Sequence, residues 1–378
     1  MPSHSLELCP EFLIRRWGYN VERHDVITED GYVLTLFRIP AGRNKTPGKR
    51  GKRVVLLQHG LASSCVDWID NLPEQSLAFV LADANYDVWL SNSRGSSYAQ
   101  RHVKYKRTDR KFWNFSWEQM AEFDLPAAVD LALNVTKQSH LYYVGHSQGT
   151  LIAFAKLSED PSFGEKIKVF FALAPVATVA HLRSPVRLLA PFTWEIKAWL
   201  NLWGDYSSGD VTWVLDYVRP FCLNSTTWLD ACSNLLMFFI GPENKAFMNK
   251  TTLPLILEQH PDDTSVKNIA HFGQMVESKK FERYNYGYLG NLWHYKQLHP
   301  PEFDVSKIET RTVLFYSDAD EFATVDDVSR NLLPKLRSFE AVHYTDLSHL
   351  DFVLSIVART RVYDKILQAL NATLFDSD

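Results

Sequence analysis

Residues 141–154 read Leu-Tyr-Tyr-Val-Gly-His-Ser-Gln-Gly-Thr-Leu-Ile-Ala-Phe. β-Favouring residues run into Gly145, His146, Ser147, Gln148 and Gly149, and an apolar segment with helical character follows. A strand that enters Gly-x-Ser-x-Gly and leaves as a helix makes a turn so tight that the residues two before and two after the serine must be small. Such a turn presents Ser147 at the C-terminal end of its strand. The helix that begins just beyond it supplies unpaired backbone N–H groups and the positive end of a dipole.

A serine hydroxyl is a weak nucleophile at neutral pH. It needs an imidazole to take its proton and an acid to fix the imidazole tautomer. In a sheet of this kind the chain order is serine, acid, histidine. Two downstream segments supply those residue types at strand ends, one reading Ser317, Asp318, Ala319, Asp320, Glu321 and the other Ser348, His349, Leu350, Asp351. Spacing leaves Asp318 and Asp320 as alternatives. His349 falls in a loop from which it can reach Ser147, whereas His343 lies within a strand and reads as structural. His146, beside the serine, reads as a packed neighbour. Two backbone donors for an oxyanion are expected from Gln148 N–H, directly after the serine, and from Leu61 N–H in the segment Gln58-His59-Gly60-Leu61.

Around the turn, short β-rich runs alternate with helical patterns. Strands are expected at 24–28, 32–39, 54–58, 87–91, 141–145 and 168–173, and helices at 77–84, 116–133 and 149–158. This alternation implies crossover connections and a mostly parallel sheet with helices on both faces, and the first two strands form an antiparallel hairpin at its edge. The rhythm breaks from 181 to 301. It resumes with a strand at 312–316, a helix near 326–336, a strand at 339–344 and a terminal helix near 362–370. The expected organisation is a core domain of 1–180 and 302–378 interrupted by an inserted helical cap or lid of 181–301.

The 378 residues are 46% apolar and 22% charged, an ordinary globular composition. The formal net charge of −4 supplies no positive field for phosphates, which argues against a nucleic-acid partner. The basic run 43–53 reads as a solvated loop. No apolar run approaches the length of a transmembrane helix, and the first seventeen residues lack the apolar core of a signal peptide. Against that stand six Asn-x-Ser/Thr sequons, at Asn44, Asn114, Asn134, Asn224, Asn249 and Asn371, where about two or three would arise by chance. The excess points to a secretory route, and a leader ahead of Met1 is expected. Of the four cysteines, Cys65 reads as a small buried hydrophobe. Neither CxxC nor HExxH occurs, so no metal is called for.

Together the motifs resemble one known family. Gln-His-Gly-Leu at 58–61, Asn-Leu-Pro at 71–73, Tyr-Asp-Val-Trp-Leu at 86–90, Asn-Ser-Arg-Gly at 92–95, Gly-His-Ser-Gln-Gly-Thr at 145–150, Ala-Leu-Ala-Pro-Val-Ala at 172–177 and His-Leu-Asp-Phe at 349–352 are similar to the acid lipases, the gastric and lysosomal acid lipase group. The resemblance spans nearly the whole chain. It implies an α/β-hydrolase fold and hydrolysis of neutral lipid esters at a lipid–water surface without a cofactor, in a secreted or lysosomal enzyme. By position it assigns Ser147 as nucleophile, Asp320 as acid, His349 as base, and Leu61 and Gln148 as oxyanion donors. It also suggests Cys222 and Cys232 as a disulfide, although their separation departs from the family's. Asn85 and Ser91 stand where glycine is common, and Ala62 where leucine is usual.

Five of the eleven tryptophans, Trp194, Trp199, Trp203, Trp213 and Trp228, crowd into thirty-five residues of the expected cap. Trp suits an interface because its body is apolar and its tip polar. The expectation is a lid that meets lipid. The rivals are a carboxylesterase for small soluble esters and a catalytically silent lipid-binding homologue.

Overall fold

The computed structural model describes residues 9–43, 45, 51–192, 207 and 247–373. Among the described residues the first element is a short helix, α1 (Pro10–Arg15). A hairpin follows, β1 (Glu22–Ile27) and β2 (Tyr32–Ile39), paired antiparallel from Glu22 opposite Arg38 to Ile27 opposite Val33. Then come β3 (Val54–Gln58), α2 (Leu77–Asp83), β4 (Asp87–Leu90), β5 (Arg101–His102), α3 (Leu125–Thr136), β6 (Leu141–His146), α4 (Gln148–Glu159) and β7 (Ile167–Leu173). After β7 the sequence supplies α5 (Leu253–Gln259), α6 (Val266–Ser278) and α7 (Tyr288–Tyr295), then β8 (Thr312–Ser317), β9 (Phe339–Tyr344) and α8 (Asp364–Ala372).

The strands form one sheet in the order β1-β2-β4-β3-β6-β7-β8-β9, with β5 paired to β2. From β4 to β9 every neighbouring pair is parallel. Central strands covered on both faces need continuous apolar sequence. Accordingly Val54–Gln58 and Leu141–His146 are buried at every position, each large aliphatic side chain adding about 1.5–3 kcal/mol. The edges read differently. β1 alternates half-buried and exposed, and β9 is exposed over most of its length.

The strands and helices expected from the sequence are present with shifted ends, and three details differ. β5 is an addition, only two residues long, held by Tyr32 opposite His102 and Val33 opposite Arg101. The helix expected at 116–133 begins with a capping box at Ser116 and Gln119, widens through Met120–Asp124, and continues as α3 to Thr136. The helix expected near 326–336 is a wide turn, Asp327–Leu332, tightening into Leu333–Lys335 as Pro334 removes a donor. Cys65 is buried and unpaired, as expected of a small hydrophobe. Cys222, Cys232, Asn44, Asn224 and the five clustered tryptophans lie outside the described residues.

The register brings strand ends to one level. Gln58 pairs with Gly145, His146 with Leu173, Leu173 with Phe315, and Ser317 with Tyr344. Loops leaving β3, β6, β8 and β9 therefore meet at one edge, where parallel sheets of this kind hold their sites.

Candidate active site

Ser147 follows β6 directly, with φ 51° and ψ −116°. A non-glycine residue in that region is strained, by about 1–3 kcal/mol, and persists only when its surroundings enforce it. They do so here through backbone contact. A Cβ on Gly145 would lie 2.8 Å from the carbonyl carbon and oxygen of Gly149, and one on Gly149 would lie 2.5 Å from the Gln58 carbonyl oxygen. The two glycines let strand, turn and helix pass within backbone distance. Ser147 N–H donates to the Leu173 carbonyl at 3.0 Å, and the Thr150 hydroxyl donates back to the Ser147 carbonyl at 2.6 Å.

Ser147 Oγ lies 2.8 Å from His349 Nε2, across 202 positions of sequence. Both Asp320 oxygens lie at the opposite ring nitrogen, Oδ2 at 2.9 Å and Oδ1 at 3.0 Å from Nδ1. Asp320 is fully buried, and its Oδ1 also accepts backbone N–H groups of Phe322 and Ala323, each at 2.8 Å. A carboxylate held this way keeps the ring proton on Nδ1 and leaves Nε2 free to accept from the serine. Asp318, the alternative acid, instead accepts from His343 Nε2 at 2.9 Å on the exposed side of the sheet. Geometry thus brings Asp320 to His349 and takes Asp318 and His343 away.

His146 is buried without being at the hydroxyl. Its Nε2 donates to the backbone carbonyl of His349 at 2.9 Å, so the residue before the serine fixes the loop that carries the histidine. Burial, reinforced by the neighbouring His349, lowers its pKa to about 4. It stays neutral.

The loop after β3 is clamped by His59. Ser93 N–H donates to His59 Nε2 at 3.0 Å, which puts the ring proton on Nδ1, within 2.8 Å of the Gly60 carbonyl. Burial pushes the His59 pKa down, consistent with a neutral clamp. Gly60 approaches the serine closely: a Cβ there would meet Ser147 Cβ at 3.3 Å. Ala62 adopts φ 51° and Asn85 φ 73°. Asparagine tolerates that conformation better than other non-glycine residues, which suits Asn85 to its backbone. Leu61 N–H and Gln148 N–H have no acceptor among the described residues. Gln148 is the first residue of α4, where such N–H groups are left over by the helix.

Asn268 carries no motif in the sequence, and Arg94 stands in the Asn-Ser-Arg-Gly segment without a role that the sequence assigns it. Asn268, near the start of α6, donates from Nδ2 to Gln148 Oε1 at 2.7 Å and accepts Trp117 N–H at 2.7 Å. Arg94 is fully buried between Asp30 and Asp124, with Nε 2.8 Å from Asp124 Oδ1 and NH2 2.9 Å from Asp30 Oδ1, and it stacks over Tyr32 at 4.0 Å. A small polar hollow at the site is lined by His59, Gly60, Ala62, Gln148, Asp263 and Thr264 among others.

Comparisons with known proteins bear on the family and the fold. Residues 53–352 match the family described as alpha/beta hydrolase fold, and residues 11–72 match the partial alpha/beta-hydrolase lipase region. The chain is 42% identical to lipase member K of Mus musculus over 96% of its own length and 90% of that protein's. It is 40% identical to gastric triacylglycerol lipase of Bos taurus, covering 95% of this chain and 90% of that one. Among solved structures, a putative lipase from Sulfolobus solfataricus superposes with TM-score 0.56 at 15% identity, covering 93% of this chain and 99% of that one, a likeness of fold alone. By sequence and by fold, the chain belongs to the acid lipase family of the α/β-hydrolases.

Proposed function

We propose that the protein is a lipase that hydrolyses carboxylic esters of neutral lipids, with Ser147 as nucleophile, His349 as general base and acid, and Asp320 as the orienting carboxylate. The observation that carries the reading is the Asp320–His349–Ser147 relay, with hydrogen-bond distances at both ring nitrogens. The lipid class rests on the relatives, two of which are named as triacylglycerol lipase and lipase member K.

In this reading Ser147 Oγ attacks the ester carbonyl while its proton passes to His349 Nε2. The oxyanion is held by Leu61 N–H and Gln148 N–H. Collapse breaks the bond to the alcohol oxygen, which takes the proton from His349, and leaves Ser147 acylated. Water then gives a proton to His349 and its oxygen to the acyl carbon, and the fatty acid departs as the proton returns to Ser147. Asp320 keeps its charge and stabilises the imidazolium that forms twice per cycle.

The division into a core of 1–180 and 302–378 and a cap of 181–301 belongs to the same proposal. Its support is the gap between β7 and β8, adjacent parallel strands separated by α5, α6 and α7. A secretory destination, to the exterior or the lysosome, is supported by the sequons, since Asn114, Asn134 and Asn371 are exposed. Asn249 is less available, because its Nδ2 donates to Gln75 Oε1 at 2.8 Å. No helix among the described residues is long and apolar enough to cross a membrane.

The test is labelling with a fluorophosphonate together with hydrolysis of triolein and cholesteryl oleate emulsions and of a short soluble ester. Labelling lost in Ser147→Ala and emulsion hydrolysis by the parent chain are expected. Turnover of the soluble ester alone would favour a carboxylesterase, and no labelling at all a silent homologue.

A further inference from the structure

Helix α7 has its polarity reversed. A surface helix ordinarily turns its apolar stripe to the core, because each large apolar side chain gains about 1.5–3 kcal/mol by burial. Here the buried residue is Asn291, 1% exposed, while Tyr288, Leu289, Leu292 and Trp293 are 68%, 84%, 47% and 72% exposed. At about 100° per residue those four share one sector of roughly 140°, and Asn291 falls outside it. Leu298, just past the helix, adds to the same run at 52%. Five of the thirteen exposed large hydrophobics among the described residues thus lie within 288–298, which makes this a concentrated feature and not ordinary surface scatter.

The reversal is built in by specific bonds. Asn291 Nδ2 donates to Asn285 Oδ1 and to the Leu298 carbonyl, each at 2.9 Å, and its Oδ1 accepts Tyr286 N–H at 2.9 Å. The Tyr295 hydroxyl donates to the Tyr284 carbonyl at 2.8 Å, and the Tyr286 ring stacks on His294 at 3.9 Å. The Asn291 amide and the Tyr295 hydroxyl anchor the helix from outside the sector that Tyr288, Leu289, Leu292 and Trp293 share.

The chemistry of that face selects its partner. Between Tyr284 and Pro301 there is no Asp or Glu, and Lys296, His294 and His299 are exposed around the apolar residues. Trp and Tyr among leucines, with the exposed Lys296 ammonium at the margin and no carboxylate in the segment, match an apolar layer under an anionic headgroup plane. A lipid droplet whose esters are being hydrolysed acquires such a plane from ionised fatty acid. The helix is also linked to the site: Asn268 holds Gln148, the adjacent Lys267 Nζ donates to the Tyr286 hydroxyl at 3.1 Å, and Tyr286 stacks on α7. We propose that the outer face of α7, with Leu298, is a docking surface for a lipid–water interface carrying negative charge; this rests on the lipase reading and names the partner of that same site.

The experiment uses the full chain carrying Ser147→Ala, so that binding is read without turnover, with and without Leu289→Glu and Trp293→Glu. Flotation with triolein droplets coated with phosphatidylcholine and oleic acid should show at least ~10-fold weaker partition for the charged variant, since two large apolar contacts are lost. Unchanged partition overturns the proposal, as does a variant that only turns a dimer into a monomer by light scattering while still floating, which would make the face a contact with a second copy. In the active background the same two substitutions should leave hydrolysis of a soluble short-chain ester at the parent rate, showing an intact fold. Emulsion hydrolysis by the parent chain tests the lipase reading separately, because flotation of the inactive chain is scored whatever that result.

Discussion

Asp320–His349 and Asp70–His260 are aspartate–histidine couples with fully buried carboxylates, and they differ in what the imidazole meets. In the first, His349 stands between Asp320 and the Ser147 hydroxyl, one partner at each ring nitrogen. In the second, His260 directs a single nitrogen, Nε2, to two carboxylates, Asp70 Oδ2 at 3.0 Å and Asp67 Oδ1 at 3.4 Å. The first arrangement fixes the ring proton on Nδ1 and lets Nε2 exchange a proton with the serine hydroxyl. The second gathers both carboxylates at one ring nitrogen, where they favour a charged ring. Burial opposes the His260 cation, but the Asp70 hydrogen bond and the nearby Asp67 outweigh it and raise its pKa to about 9, while burial pushes Asp70 up to about 6. An Asp–His couple is therefore no sign of catalysis until its third partner is known.

Substitutions should pull the two couples apart. The largest effect belongs to Ser147→Ala, expected to lower kcat by about 10⁶-fold with stability preserved or slightly raised, since the strained turn stays intact. Asp320→Asn should follow at about 10⁴-fold, because the ring loses the partner that fixes its tautomer; both are read from steady-state hydrolysis of a soluble ester. A loss below tenfold for Asp320→Asn would put the two couples on one footing. Asp70→Asn is the mirror image: a loss of about 3 kcal/mol in denaturant unfolding, from leaving a buried cation with a weaker partner, while kcat changes less than about threefold.

The pH dependence of stability follows the same division. The raised pKa of His260 gives a contribution fully present below about 6.5 and lost as pH rises through about 9. His146 is shifted the other way, so its contribution is present above about 6.5 and lost as pH falls through about 4. Unfolding curves across pH should show the alkaline loss flattened in Asp70→Asn and the acid loss flattened in His146→Gln. The smallest effect is at Ala62, which links the two regions because its carbonyl accepts Asp262 N–H at 2.8 Å beside His260. Ala62→Gly should relieve its left-handed backbone and raise stability by about 0.5–1 kcal/mol. A decrease would mean that the alanine side chain itself supports the loop.

Much of the first couple was legible in the sequence because its signals are local. Gly145 and Gly149 flank the serine at fixed spacing, and each partner follows a β-rich run. The choice between Asp318 and Asp320 was not legible from spacing, since both sit in one turn and only tertiary packing sends one inward and the other to His343. The second couple was invisible for a related reason: Asp67 and Asp70 lie some 190 positions from His260, and neither segment carries a periodicity that predicts contact. Asn268 escaped notice likewise, as a polar residue early in an amphipathic helix. In α7 the apolar pattern is present, but pattern alone would have turned it toward the core, and only the buried bonds of Asn291 reveal the opposite orientation.

The pairing of β7 with β8 has one further consequence. These strands are neighbours in the sheet although about 140 positions of chain run between them, and the contacts of His146 and Ser147 with His349 cross the same seam. The seam is stitched by ladder hydrogen bonds and side chains on both banks, so covalent continuity is not what keeps Ser147 opposite His349. Cleavage of the backbone somewhere along that long excursion would leave two fragments still joined as one sheet, with serine and histidine facing each other as before.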